Sequence, residues 1–168
     1  MDIEKKRGRI ARIAAVNGWG VAVLAALCLL ISLLELSVAG ILVCLAGVVS
    51  GYMELSGRRR LKENRPEAGR WLARSQLLLL AAIVLYSAYN LLAFHPKEIL
   101  MDMPPDLRSA LLAYGDQKEI EGWLTMAAHI LYLSLIVGTV LYQGGLGLYY
   151  TVATRKLDRA AAESQGKP

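Results

Sequence analysis

The chain has 168 residues, 55% of them hydrophobic and 20% charged, with a formal net charge of +5 and two cysteines. The charges stand almost entirely outside four apolar runs, which excludes a soluble domain whose elements each keep a wet face. The basic excess flanks those runs instead of lining a face with interleaved aromatics, so it reads as membrane topology and not as nucleic-acid binding.

Residues 1–15 form a basic segment carrying Lys5, Lys6, Arg7, Arg9 and Arg12. The first apolar run, residues 16–34, follows it and ends near Ser37, Val38 and Ala39, which could mimic a signal-peptide cleavage site. Cleavage there would leave the next run at the new N-terminus, and the run exceeds a usual signal core, so it is expected to stay as an uncleaved span. Glu35, Leu36 and Ser37 make too short a connection for anything but a tight hairpin with the second run, residues 38–55. On that second span Ser37, Gly40, Cys44, Gly47 and Gly51 share one helical face, and Gly47 with Gly51 completes a GxxxG pattern, predicting close helix packing. Cys28 and Cys44 are symmetric about the turn and fall at one depth, where they read as small packing residues. Glu54, at the span end, is expected to pair with Arg58 at i+4 on the rim.

Residues 56–76 are expected to form a basic loop, with Arg58, Arg59, Arg60, Lys62, Arg65, Arg70 and Arg74, that attracts anionic lipid headgroups. The segment Arg70 to Gln76 is faintly similar to the Arg-rich segment of membrane-bound glutathione and eicosanoid enzymes. The resemblance covers only those few residues, the companion Asn and Glu are replaced by Leu77 to Leu80, and no family is assigned from it. The third run, residues 77–94, carries Ser87 and Asn90 in helical phase with Gln76. In the outer loop, residues 95–123, Pro104 and Pro105 followed by Asp106 predict a short helix bearing Leu107, Leu111 and Tyr114 on one face and stopping at Gly115.

The fourth run, residues 124–150, has its polar groups at steps that are multiples of three or four. His129, Tyr132, Thr139 and Gln143 are the centre of this stripe, with Thr125, Gly147, Tyr150 and Thr154 continuing it. Opposed running directions would put Asn90 near the depth of His129 and Tyr132, and Gln76 similarly near that of Tyr150. Polar side chains are disfavoured against lipid, so the two stripes are expected to face each other or a shared interior. Residues 155–168 form a polar tail with Arg155, Lys156, Arg159 and Lys167.

The basic segments alternate with poor ones. The expected fold is therefore an all-α integral membrane protein, an antiparallel bundle of four transmembrane helices over residues 16–154 with both termini cytoplasmic. Trp19, Trp71 and Trp123 lie near span ends as interfacial anchors. No P-loop, dinucleotide, zinc-protease or serine-hydrolase motif is present, so neither a cofactor nor a metal is expected, and catalytic residues are not assigned. Three functions remain: a structural or accessory subunit acting through helix packing with itself or a membrane partner, an oligomeric channel or facilitator lined by the fourth-span stripe, and a lipid enzyme using His129 and Tyr132.

Overall fold

The computed structural model describes residues 3–165, with side chains as far as Ala161. Among these residues the chain is all-helical: α1 Ile3–Leu34, α2 Val38–Lys62, α3 Ala68–Leu92, α4 Pro96–Asp102, α5 Pro105–Leu112, α6 Gln117–Thr139 and α7 Gly145–Gln165. A π-helical turn, Val140–Gly144, joins α6 to α7. Four stretches among the described residues are long and apolar enough to cross a membrane: Ile3–Leu34, Val38–Lys62, Ala68–Leu92 and Gln117–Ala161.

The helices outrun the apolar runs that announced them. α1 takes in most of the basic first segment, α7 takes in most of the tail, and the expected loop 56–76 shrinks to the few residues between Lys62 and Ala68. Lys167 lies outside the described residues. Lys, Arg and Glu are good helix formers, so the backbone ladder continues past the point where the sequence stops being apolar. Hydropathy marks what lipid tolerates, and propensity marks where the helix ends. The outer loop differs too: α5 occupies the expected place after Pro104, but it buries no residue, and Leu107 and Tyr114 are exposed. An unforeseen α4 precedes it and buries Leu100.

Helix ends are set by local chemistry. Leu36 and Asn64 are the non-glycine residues with left-handed backbone among those described, at φ 52° and 59°. Each closes a Schellman motif. After α1, Ser37 N–H donates to Ser32 C=O at 3.0 Å and Leu36 N–H to Leu33 C=O at 3.3 Å; after α2, Arg65 N–H donates to Arg60 C=O and Asn64 N–H to Leu61 C=O. Ser37 then caps α2, its Oγ accepting from Gly40 N–H at 3.2 Å. A reciprocal capping box starts α6, Asp116 Oδ1 accepting from Glu119 N–H and Glu119 Oε2 from Asp116 N–H.

The chain divides into two compact units, one made of the segments before Val84 and after Gly138, the other of Val84–Gly138. In the first, α1 and α2 pack as a hairpin along the small-residue face. A Cβ on Gly47 would lie 2.7 Å from Ala25 Cβ, and one on Gly51 would lie 2.8 Å from both Ala22 Cβ and Gly18 O. Gly40 sits against Ser32 and Gly18 against Leu55, so the pairing continues along both helices. Gly57 meets Leu72 of α3, while Gly69 of α3 meets Thr154 of α7. The apolar core of this unit gathers at its basic end: Ile10, Ala11, Ala14, Leu61, Ala68, Leu72, Tyr150 and Leu157. In the second unit Ser87, Leu100, Ile120 and Ala128 are buried.

Candidate functional site: a buried carboxyl joined to three helices

Glu54 is fully buried, contrary to its expected place on a solvated rim, and it does not pair with Arg58. Its position follows from the face that packs α2 on α1. Gly47, Gly51 and Glu54 succeed one another at i, i+4 and i+7, so a neighbour drawn close by the glycines encloses the carboxyl as well. Tyr150 Oη donates to Glu54 Oε1 at 2.5 Å, and Asn17 Nδ2 donates to Oε2 at 2.7 Å. Tyr142 Oη in turn donates to Asn17 Oδ1 at 3.1 Å. Gln76, on α3, brings its side-chain amide to the same carboxyl. All four long helical stretches thus contribute a side chain to one polar cluster, which lies next to the apolar core through Tyr150.

Around the cluster, Ser50 Oγ donates to Ser75 C=O at 2.8 Å, tying α2 to α3. Ser75 Oγ donates to Leu72 C=O and accepts from Gln76 Nε2 at 3.2 Å. Gln76 Cβ lies 3.4 Å from the Cβ position of Gly147, so α3 and α7 are in van der Waals contact there. Gln143, within the π turn, is buried, and so is Thr139 just before it. The Oε1 atoms of Gln76 and Gln143 have no hydrogen-bond partner, nor has Arg58 Nε, although all three are enclosed. Among the described residues the ion pairs are Arg59–Glu63, Arg60–Glu67 and Arg65–Glu63, so no cation stands at Glu54.

The expected stripe is therefore brought together only in part. Gln76, Thr139 and Gln143 lie inside the first unit, with Tyr150 and Thr154. Ser87, Asn90, His129 and Tyr132 belong to the second. There Asn90 Nδ2 donates to Tyr86 C=O one turn back, and His129 Nδ1 meets Thr125 C=O one turn back, each at 2.8 Å. His129 is exposed, Tyr132 half-buried, and Ser87 buried with its Oγ unpartnered. A π turn spends an extra residue on one turn, so counting at constant helical spacing from Thr125 to Thr154 does not describe a single face.

Cys44 is buried with Sγ 3.8 Å from Ser32 Oγ, whereas Cys28 is exposed. Trp19 and Trp123 are exposed, and Trp71 carries the Arg60 guanidinium 4.3 Å over its ring. At the α2–α3 connection the hydrogen bond from Arg59, with Arg65 on the other oxygen, holds the Glu63 carboxyl below its ordinary range. Among the described residues no three His, Cys, Asp or Glu side chains gather as a metal set.

Chemically, the cluster is a set of hydrogen bonds more than a relay. A proton can pass through a group that donates and accepts at one atom, as Tyr and carboxyl groups do, but Asn17 donates from Nδ2 and accepts at Oδ1. It breaks the path from Tyr142 to Glu54. Sequence reasoning passed over Asn17 and placed Glu54 on the rim; the signals were a single amide at the edge of the first apolar run, and an acid in register with the glycine face. No family model, no curated protein and no solved structure matches the chain.

Proposed function

We propose that the protein is a multi-pass protein of the cell membrane, cytoplasmic if the cell is bacterial, with its four spans in an antiparallel bundle and both termini cytoplasmic. Its role is that of a structural or accessory subunit acting through helix packing with its own kind or with another membrane protein. The observation that carries this reading is the inward convergence of Asn17, Glu54, Gln76 and Tyr150 from four helical stretches, which commits the polar groups to holding the chain together. What remains outward on the spans is mostly apolar: Leu24, Leu27 and Leu30 on α1, Leu42 and Val49 on α2, Leu85 on α3, and Leu131 and Leu141 in the last stretch are all exposed. Such surfaces suit acyl chains or a neighbouring helix.

Native purification in mild detergent tests it: a stoichiometric companion or a stable homo-oligomer is expected, and a lone monomer under every mild condition refutes it. Sidedness is tested with engineered thiols at Asp106, labelled from outside intact cells, and at Lys62, protected. A channel or facilitator is the second reading, and Glu54 favours it, because an ionisable group enclosed within a span marks many ion pathways. Against it stand Thr139 and Gln143, which are enclosed by their own chain where a pore shared between copies needs them facing out. Ion and solute flux through purified protein in vesicles separates the two. Background flux equal in wild type and Gln143→Leu supports packing, and flux that this substitution abolishes supports conduction. The lipid-enzyme reading, resting on His129 and Tyr132, gains nothing from an exposed imidazole bonded within its own helix.

A further inference from the structure

We infer that the groove between the first turns of α1 and the first half of α7 is a binding site for one anionic diacyl phospholipid. The groove encloses about 510 Å³ and joins two chemistries in one space. Lys6 and Arg9 on α1 and Lys156 on α7 supply three cations, while Gly145, Leu148 and Val152 give it an apolar wall. None of the three cations enters an ion pair among the described residues. Gly145 to Lys156 spans eleven helical steps, about 16 Å, close to half the hydrocarbon thickness and hence to the depth of one leaflet. An acyl chain lying along Leu148 and Val152 therefore reaches the interface where the cations can hold its phosphate.

Neither chemistry alone selects this occupant. A zwitterionic lipid fills the apolar wall but leaves three cations uncompensated, and a soluble phosphate satisfies the cations but leaves Leu148 and Val152 bare, at 69% and 50% exposure. Gly145 keeps the groove open: a Cβ placed there meets nothing within 4 Å, so the space beside it is free for a ligand. This inference rests on the membrane reading above and adds a specific ligand to it.

The test is native mass spectrometry of the full-length protein titrated with phosphatidylglycerol or with phosphatidylcholine of the same chains. Wild type should retain one phosphatidylglycerol in preference to phosphatidylcholine. Lys6→Gln/Arg9→Gln/Lys156→Gln should reduce that preference about tenfold or more, since each near-surface basic residue contributes appreciably to anionic lipid binding. The equal charge change Lys97→Gln/Arg108→Gln/Lys118→Gln, outside the groove, should leave it intact. Gly145→Leu, whose Cβ enters open space, fills the groove while leaving all three cations in place, and should also lose the lipid while keeping helical content and elution position. Equal retention of both lipids, or a preference that survives Gly145→Leu, overturns the inference. Failure of the chain to fractionate with membranes overturns the membrane reading instead.

Discussion

Removing a single hydroxyl, with Tyr150→Phe, probes the cluster most directly. The ring of Tyr150 is fully buried in the apolar core and stays there in the variant, so the change isolates the donor to Glu54 Oε1. Hydrogen bonds between membrane helices average about 0.6 kcal/mol and reach about 1.7. This one belongs at the upper end: its acceptor is a fully buried carboxyl, and no cation is at hand to compensate. A loss of about 1.5 kcal/mol is expected. Glu54→Leu alone should lose a similar amount, because it orphans the Tyr150 hydroxyl and the Asn17 amide together. The double variant should be more stable than the sum of the two losses by about 1 kcal/mol, since an apolar pair leaves no orphan between positions 54 and 150. The assay is reversible unfolding in mixed micelles, run as a double-mutant cycle. Tyr150→Phe as stable as wild type, or strict additivity in the double variant, would refute the assignment of this bond as a stabilising link between α2 and α7.

Three further outcomes follow from the same geometry. Leu36→Gly should raise stability by about 1 kcal/mol, because Leu36 holds a left-handed φ of 52° that strains any side chain while remaining 81% exposed; unchanged or lower stability in thermal unfolding would count against the Schellman closure. Gly51→Leu should destabilise by about 2 to 3 kcal/mol by forcing α1 from α2, whereas Gly20→Ala, with nothing within 4 Å of the new Cβ, should be neutral or slightly stabilising in the same assay. Glu63, whose folded carboxyl lies below its ordinary value of 4.5, adds stability that is fully present above that value and is lost as pH falls through the folded pKa. Glu63→Gln should flatten that acid limb in a pH series of unfolding, and the limb should also shrink at high salt.

How much of this was legible beforehand depends on which solvent each residue meets. Four apolar runs and the tight turn at Leu36 could be read directly, because hydropathy and connection length act along the chain. The small-residue face of Gly40, Cys44, Gly47 and Gly51 was equally legible, since it needs only helical periodicity. The apolar core was not. Ile10, Ala11, Leu61, Ala68 and Leu157 lie in segments read as a basic terminus, a loop and a tail, because their Lys and Arg neighbours outweigh them in any window average. Yet if those segments stand in water, they are where the hydrophobic effect can operate; inside lipid, helices associate through close backbone approach and hydrogen bonds instead. The chain accordingly shows two kinds of packing, glycines against alanines along the α1–α2 hairpin and an apolar core that includes Ile10, Leu61, Leu72 and Leu157 at its basic end.

Glu54 was misread for a related reason. Arg58 stands at i+4, the spacing that pairs opposite charges on an isolated helix, and a local rule therefore supplied a partner. The same helix contained the contrary signal, since Glu54 continues the face of Gly47 and Gly51. Once that face is committed to α1, Arg58 would have to compete with Asn17 and Tyr150 for a carboxyl already enclosed. The two fixed donors prevail because their side chains are positioned by packing, whereas a guanidinium drawn inward would surrender hydration for one partner. An acid at a span end is thus decided by the face it shares and not by the nearest opposite charge, and here that face makes Glu54 the point where the four stretches meet.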